Sequence, residues 1–318
     1  MSNPFQSRVW FITGTSSGLG RALVEGVLAR GERVAAAVRN VVALNDLVAK
    51  YNKEQLLVVS LDVTDTTQIV NTFKALEAHF GRLDVVVNNA GYGVTGEIEV
   101  VPEADARKQV ETLFWGPVEI TKQAARFFRE VNPKGLGGRV LNVSSSGGYS
   151  ANATLAYYSA GKFALEGFTE AFTNEMPPEF NIKGIIIEPG GFPTKWAKAN
   201  MVEYPPHPAY PEDSPMRRFL QMRANHSAIG DVTKAAQAMI RIASEPNPPL
   251  RIQLGSDAWG IVQHTANRTL KDQEKWAELS HSTNQDGIGL EILDLEGGSP
   301  LIPSRMYPWV IRHHLLQC

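Results

Sequence analysis

The sequence of 318 residues contains one cysteine, Cys318, which is its last residue. A single thiol has no partner for an intrachain disulfide, so the sequence favours a reducing compartment. Residues 1–5 lack the basic and apolar regions of a secretory signal, and no apolar run approaches the ~20 residues that cross a bilayer. We therefore expect a cytoplasmic protein that does not enter a membrane.

An excess of charge of one sign is also missing. The 31 basic and 33 acidic residues leave a net charge of −2, which gives no reason to expect a nucleic-acid partner. The histidines lack the spacing of metal ligands, so we expect no metal and structural or solvated roles for all of them. The histidines considered as ligands are six of the seven in the chain: His207, His226, His264, His281, His313 and His314.

Apolar residues make up 43% of the chain, which is enough for a substantial core. Short apolar stretches at 8–12, 33–38, 55–61, 84–88, 139–143, 181–188 and 250–254 read as strands. Stretches with helical periodicity lie between them, at 21–30, 66–80, 104–131, 156–176 and 231–243. This alternation predicts an α/β fold with a doubly wound parallel sheet, whose ligands bind beyond the carboxyl ends of the strands.

A glycine-rich turn joins the first strand to the first helix. Gly14 permits a tight turn, while Gly18 and Gly20 allow the backbone to approach a pyrophosphate and the helix to pack on the strand. The helix N-terminus would then present N–H groups to the phosphates. The order of strand, glycine turn and helix is the context that a dinucleotide site requires.

Tyr158 and Lys162 are four residues apart and lie on one face of a predicted helix. An ammonium group favours the phenolate, so Lys162 is expected to lower the pKa of Tyr158. The hydroxyl of Ser145, from the preceding loop, is placed to polarise a carbonyl group. Tyr157 is the other candidate for the phenol that Lys162 activates, but it is five residues before Lys162 and off the shared face.

Together these motifs resemble the short-chain dehydrogenase/reductase family. The family pattern Thr-Gly-x-x-x-Gly-x-Gly matches Thr13 to Gly20, and Asn-Asn-Ala-Gly matches Asn88 to Gly91. The family's serine and its Tyr-x-x-x-Lys motif match Ser145, Tyr158 and Lys162, and Pro-Gly-x-x-x-Thr matches Pro189, Gly190 and Thr194. The resemblance covers residues 7–256 well and 257–289 more loosely, and it implies a Rossmann-like fold.

The resemblance also implies hydride transfer between nicotinamide C4 and a carbonyl or alcohol carbon. Tyr158 would exchange the proton, Lys162 would hold the nicotinamide ribose, and Ser145 would bind the substrate oxygen. The cofactor-binding residues implied are Thr13, Gly14, Ser16, Ser17, Gly18, Leu19, Gly20, Asn88, Asn89, Ala90, Gly91, Tyr158, Lys162, Pro189, Gly190 and Thr194.

The end of the second predicted strand indicates which dinucleotide binds. Val38 stands where NAD-binding members of the family carry an acid, and Arg39 and Asn40 follow it. A guanidinium group binds a 2′-phosphate well, so we expect NADP(H). Asp62, after the third strand, matches the family residue that contacts the adenine amino group, and the neighbouring Val63 is also expected to bind the cofactor. Asp62 and Asp65 are both also placed to cap the helix that follows.

Leu113 is a departure from the family pattern. It replaces an asparagine that the resemblance associates with a helix kink and a water for proton relay. Leucine binds no water through its side chain, so turnover is expected to be slow or specialised. A kink that survives, with help from Gly116 and Pro117, would still leave a backbone carbonyl for a water.

We expect one catalytic domain, 1–256, in which the proline-rich segment 190–227 covers the substrate. Residues 257–318 are expected to form a helix and, from 287, an extended arm packed on the same domain. The resemblance implies a homodimer or homotetramer. Trp196, Trp259 and Trp276 are expected to be packing residues.

The leading hypothesis is an NADPH-dependent ketoreductase or alcohol dehydrogenase that acts on a small, fairly apolar molecule. The alternative is a non-redox enzyme of specialised metabolism, such as an isomerase, dehydratase or cyclase, which Leu113 and the C-terminal arm motivate. A third possibility is a redox-sensing protein that holds NADP(H) without catalysis, although such proteins often lose the Tyr/Lys pair.

Overall fold

The computed structural model describes residues 7–196, 199–225 and 228–286. Its strands are β1 (Val9–Thr13), β2 (Arg33–Val38), β3 (Leu56–Ser60), β4 (Val85–Asn88), β5 (Gly93–Thr95), β6 (Gly138–Val143), β7 (Ile182–Pro189), β8 (Met201–Glu203) and β9 (Arg251–Leu254). Seven of them form a parallel sheet in the order β3-β2-β1-β4-β6-β7-β9. The α/β fold with a doubly wound parallel sheet is therefore confirmed.

Helices cover both faces of this sheet. The described helices of the chain are α1 (Gly18–Ala29), α2 (Asn45–Lys50), α3 (Thr66–Phe80), α4 (Glu103–Val110), α5 (Gly116–Glu130), α6 (Ala156–Glu175), α7 (Pro215–Asn225), α8 (Val232–Ile242), α9 (Ser256–Lys275) and α10 (Ala277–His281). Side chains alternate along each strand, so Trp10 and Ile12 face α1 and α8, whereas Phe11 faces α3 and α5. Burial on both faces explains why the strand sequences are almost entirely apolar.

The chain reverses its direction of travel across the sheet at β1. It moves from β1 outward to β2 and β3, and then returns to add β4, β6, β7 and β9 on the other side. Loops that leave β1 and β4 therefore diverge and open a crevice at the carboxyl edge of the sheet. This crevice is where the motifs at Thr13 and Asn88 lie, because both residues end a strand.

The helix expected over 104–131 is divided in the structure. A π-helical turn, Glu111–Trp115, separates α4 from α5. Gly116 packs against the backbone of Val63, since an added Cβ would lie 2.6 Å from the carbonyl oxygen of Val63. Pro117 supplies no N–H group to the preceding turn. The break is therefore present although leucine occupies position 113.

The chain divides into two compact units between Thr265 and Ala266. The predicted domain boundary at 256/257 stays a prediction. The expected arm at 287–318, with His313, His314 and Cys318, lies outside the described residues, as does His226. Among the residues that the structure describes, no helix is long and apolar enough to cross a membrane, and no cluster of three metal-ligating side chains occurs.

A buried side chain, Asn132, fixes the entry to β4. Its amide group donates to the carbonyl oxygens of Leu83 at 2.5 Å and Gly137 at 2.9 Å, and its oxygen accepts from Leu83 N at 3.0 Å. Asn132→Ala should lower the free energy of unfolding by about 2–3 kcal/mol, because it leaves buried backbone groups unpaired. Denaturant unfolding measures the change. The exposed Asn247→Ala is the control, and an equal effect of both variants would contradict the assignment.

Candidate active site

A cavity of about 950 Å³ lies at the carboxyl edge of the main sheet. The loops after β1, β2, β3, β4, β6 and β7 all contribute to its walls. The expected site residues that line it are Thr13, Gly14, Ser16, Ser17, Gly18, Leu19, Arg39, Asn40, Asp62, Val63, Asn89, Ala90, Gly91, Ser145, Tyr158, Lys162, Pro189, Gly190 and Thr194. The fold thus brings together motifs that are far apart in the sequence.

The glycine turn after β1 has a backbone that other residues tolerate poorly. Gly14 and Gly18 have φ angles of 69° and 60°, and a Cβ at Gly14 would lie 2.8 Å from Ala90 Cα. Gly20 does not line the cavity. A Cβ there would collide with the side-chain amide of Asn89 and with Gly14 O, so Gly20 serves the packing of α1 on the turn.

Hydrogen bonds tie the glycine turn to the end of β4. Thr13 Oγ1 accepts from the backbone N–H groups of Asn89 and Ala90, each at 3.0 Å. In return, Asn89 Nδ2 donates to the carbonyl oxygens of Thr13 at 2.9 Å and Gly14 at 3.1 Å. These reciprocal bonds hold the two loops that border the crevice in one arrangement.

The neighbouring Asn88 has a different role from the one expected. It does not line the cavity; its buried amide donates to Asn142 Oδ1 at 2.8 Å. Asn142 Nδ2 donates in turn to Thr169 Oγ1 at 2.7 Å. Asn88 therefore links β4 to β6 and α6 beneath the site, because its buried side chain lies beside Asn142 of the neighbouring strand.

Charged groups mark one end of the cavity. Arg39 is exposed at the end of β2, next to the buried Val38, and Lys108 of α4 also lines this end. Both cations favour the ionised form of Asp62, whose pKa is lowered chiefly by a hydrogen bond from Thr64 N. Lys108 was not expected from the sequence, because only the fold brings α4 to the same cavity wall as the residues that follow β2 and β3.

The two aspartates after β3 divide the roles that the sequence left open. Asp65 caps α3, since its side chain accepts from Gln68 N at 3.0 Å. Asp62 caps no helix and lies in the cavity wall, where its carboxylate accepts from Thr64 N and Thr64 Oγ1. Asp62 is thus the one available to a ligand.

Ser145, Tyr158 and Lys162 meet at the other end of the cavity. Ser145 lies just after β6, and its Oγ accepts from Gly147 N at 3.0 Å. Tyr158 and Lys162 are buried on one face of α6, with Lys162 Nζ 5.9 Å from the centre of the Tyr158 ring. Lys162 Nζ also donates to Val143 O at 2.7 Å, which anchors α6 to β6. Tyr157 lies apart from this group, since its hydroxyl donates to Ile98 O at 3.0 Å.

The pKa of Tyr158 departs from the expectation. Burial raises the pKa of Tyr158 to about 12, and the hydrogen bond with Ser145 opposes this rise. The pKa of Tyr158 therefore lies above its ordinary value, and not below it as expected, because desolvation of the phenolate outweighs the hydrogen bond with Ser145. Tyr158 is a neutral phenol at physiological pH and has a proton to donate.

Burial also lowers the pKa of Lys162 to about 8, and the nearby Glu166 opposes that change. Glu166 is almost completely buried, and burial raises the pKa of its carboxyl group to about 8. Ser144 Oγ donates to Glu166 Oε1 at 2.5 Å. The one signal for Glu166 in the sequence is its position one helical turn after Lys162.

Leu113 is fully buried at the π-helical turn and contacts the face of α6 that carries Tyr158. It packs with Leu155 and Tyr158, and a Cβ added to Gly161 would lie 3.2 Å from Leu113 Cβ. The leucine therefore fills the space beside Tyr158 with apolar atoms. It also lines the cavity, so it borders the place where a ligand would lie.

The segment 190–227 covers the apolar end of the cavity in its described parts. Its strand β8 pairs with β5, and Trp196, Val202, Phe219 and Met222 line the cavity. The ring of Trp196 lies 5.2 Å from the ring of Tyr158. Trp196 is thus part of the cavity wall, and its buried Nε1 has no hydrogen-bond partner among the residues that the structure describes. Residues 197, 198, 226 and 227 lie outside the described residues.

Known proteins are similar to this chain in sequence and in fold. The family model for short chain dehydrogenases matches residues 8–204. An oxidoreductase of Schizosaccharomyces pombe is 38% identical over 275 residues, which are 86% of this chain and 91% of the relative. The chain belongs to the short-chain dehydrogenase/reductase family of oxidoreductases.

Solved structures agree with this assignment. A short-chain dehydrogenase from Streptomyces avermitilis is 34% identical and has a TM-score of 0.80, covering 89% of this chain and 100% of its own. A short chain dehydrogenase from Burkholderia cenocepacia, in complex with NADP, has a TM-score of 0.63 over 85% of this chain and 97% of its own. At 21% identity, the second structure shows a shared fold.

The raised pKa of Tyr158 predicts that this residue contributes almost no phenolate absorbance in an alkaline titration to about pH 10.5. At about pH 10.5, an ordinary exposed tyrosine is mostly ionised, whereas Tyr158 should stay neutral because its pKa is about 12. Wild type and Tyr158→Phe should therefore show equal phenolate absorbance at that pH. Circular dichroism confirms that both remain folded, and a deficit of one phenolate in the variant would contradict the prediction.

Proposed function

We propose that this protein is an NADP(H)-dependent ketoreductase or alcohol dehydrogenase that acts on a small, fairly apolar metabolite. The observation that carries the proposal is the meeting of Ser145, Tyr158 and Lys162 in the same cavity as the glycine turn. A proton donor, a hydroxyl and a cation thus share one water-limited space with a place for a dinucleotide.

The residues present fit a dinucleotide. The positive φ angles at Gly14 and Gly18 would strain any residue that has a side chain. Because glycine has no side chain, the backbone N–H groups of the turn stay open to a pyrophosphate. The first turn of α1 carries no acidic residue that would repel phosphate. A bound nicotinamide supplies the hydride chemistry, and the protein orients it and handles the proton.

Tyr158 donates its proton to the substrate oxygen in the direction of carbonyl reduction. Its raised pKa keeps the proton on the phenol until the oxygen becomes basic. Ser145 binds the same oxygen and stabilises the charge that develops on it. The Lys162 ammonium, close to the ring, favours the phenolate that proton transfer leaves behind.

Arg39 and Lys108 support a preference for NADP(H). They provide two cations at the end of the cavity where a ribose 2′-phosphate would lie, and Val38 provides no carboxylate to repel it. The fold neighbour from Burkholderia cenocepacia was solved with NADP. The apolar side chains of Leu113, Trp196 and Phe219 favour a substrate with an apolar body beside its carbonyl group.

Leu113 keeps a second function under consideration, a non-redox isomerase, dehydratase or cyclase of specialised metabolism. Its side chain provides no water site beside Tyr158, which disfavours an ordinary proton relay. Product that forms without matching NADPH consumption would favour this function. Assembly as a homodimer or homotetramer, for which Trp115 and Phe163 offer exposed aromatic surface, and a cytoplasmic location stay predictions.

The assignment of Tyr158 as the acid predicts a large loss of activity in Tyr158→Phe. NADPH oxidation with a panel of ketones and aldehydes should fall by roughly 100-fold or more, because a positioned general acid contributes about that much. Tyr157→Phe is the matched control and should retain activity, since its hydroxyl contacts Ile98 O. A fully active Tyr158→Phe enzyme would refute the proposed mechanism.

The proposed role of Arg39 predicts a selective loss of affinity. Arg39→Ala should weaken NADPH binding by roughly 10–100-fold, the value of a charged hydrogen bond, and leave NADH binding almost unchanged. Calorimetric titration of both dinucleotides measures this difference. Arg107→Ala removes an exposed arginine that pairs with Glu103 and serves as the control. Equal weakening of NADPH and NADH by Arg39→Ala would count against a 2′-phosphate contact.

A further inference from the structure

A cluster of buried charged side chains lies one helical turn beyond Lys162. Glu166 of α6 and Glu188 of β7 are 4% and 0% exposed, so neither carboxyl group reaches water. Buried carboxyl groups are rare unless other groups hold them or they serve a function. None of the steps assigned to Ser145, Tyr158 and Lys162 explains why these two are present.

Ser144 connects this cluster to the cavity. Its Oγ donates to Glu166 Oε1 at 2.5 Å, and the residue itself lines the cavity next to Ser145. Gly148 passes directly over this bond, since an added Cβ would collide with Ser144 Oγ and Glu166 Oε1 and lie 3.0 Å from Lys162 Cβ. The Glu166 carboxyl and the Lys162 stem are therefore packed under the same loop.

Arg251 of β9 is the cation that faces the carboxyl groups from the other side. Its guanidinium lies 3.8 Å from Glu166, 3.6 Å from Glu188 and 3.3 Å from the more exposed Glu170, and it stacks over Tyr149. One arginine does not neutralise three carboxylates. Gln253 Nε2 donates to Glu188 Oε2 at 2.5 Å, which steadies Glu188 without adding charge.

We propose that Glu166 is a positioning residue whose carboxyl group sustains the ammonium charge of Lys162, with Ser144 orienting it and Glu188 and Arg251 balancing its own charge. The inference rests on the proposed function, because it assigns to Glu166 an effect on the reaction through Lys162. Glu166 does not line the cavity, so it acts without touching a ligand.

The charges around Lys162 determine the direction in which Glu166 changes the pKa of Lys162. Burial lowers the pKa of Lys162 to about 8, and the Glu166 carboxylate opposes this by favouring the ammonium. Burial and the neighbouring Glu188 raise the pKa of Glu166 to about 8, while Ser144 and Arg251 favour its ionised form. Glu166 thus ionises in the same range, near pH 8, in which Lys162 would otherwise lose its proton, and removal of this carboxylate should lower the pKa of Lys162 further. Ketone reduction would then fail at a lower pH, because the ammonium that stabilises the Tyr158 phenolate would be lost sooner.

Glu166→Gln tests this with little change of shape, since an amide still accepts from Ser144. We would follow the lysine resonances of isotope-labelled protein between about pH 6 and pH 10 and identify Lys162 by its loss in Lys162→Arg. The titration of Lys162 and the alkaline limb of the kcat profile should both move down by about one pH unit. Glu166→Asp should restore part of this shift. Glu170→Gln, an exposed partner of the same arginine, should change neither.

An unchanged Lys162 titration in folded Glu166→Gln overturns the inference, as does a shifted titration in an active enzyme whose pH profile stays in place. If Glu166→Gln does not fold, Ser144→Ala is measured instead; it removes a hydrogen bond that favours the carboxylate and should shift Lys162 in the same direction. If Glu166→Gln shifts the Lys162 titration but the wild-type protein turns over no carbonyl compound, the proposed function is overturned and the coupling of Glu166 to Lys162 stands.

Discussion

The common direction of the strands in the main sheet is the constraint on which the site depends. Parallel strands bring all their carboxyl ends to one edge, so Gly14, Asp62, Ala90, Ser145 and Gly190 reach one cavity from different parts of the chain. The reversal of strand order between β1 and β4 opens the crevice. The reciprocal bonds of Thr13 and Asn89 then keep the two bordering loops in register. Each site residue thus depends on the sheet for its place.

Burial of Tyr158 and Lys162 is the second feature that shapes the site. A phenol and an ammonium that leave water resist ionisation, so the pKa of Tyr158 rises and that of Lys162 falls. The same low-polarity surroundings strengthen every remaining electrostatic contact. The bond from Lys162 to Val143 O and the carboxyl group of Glu166 offset part of the cost of burying the lysine. A site of this kind holds its protons firmly and releases them only to a strong partner.

Features that depend on local sequence were predicted well. The strands, the glycine turn and the shared helix face of Tyr158 and Lys162 follow from hydrophobic period and residue spacing, which are properties of short segments. Of the two roles expected of Gly20, approach to the cofactor and packing of the first helix, the structure supports the packing role through its close contacts with Asn89 and Gly14.

Features that depend on tertiary packing were not predictable in the same way. The raised pKa of Tyr158 arises from desolvation by Leu155, Trp196 and other neighbours, which no spacing encodes. The burial of Glu166 depends on residues of β6, β7 and β9 that only the folded sheet brings together. The π-helical turn at Glu111–Trp115 is present with a leucine at its centre, which is the outcome that Gly116 and Pro117 had left open.

The central claim is that one cavity holds a dinucleotide along its whole length and presents its reactive end to Tyr158. A crystal structure of the protein with NADPH tests this most directly. The account predicts the pyrophosphate at the turn between Gly14 and Gly18, the 2′-phosphate beside Arg39 and the nicotinamide ring beside Tyr158. A nicotinamide ring that lies away from Tyr158, or a dinucleotide bound outside this cavity, would contradict it.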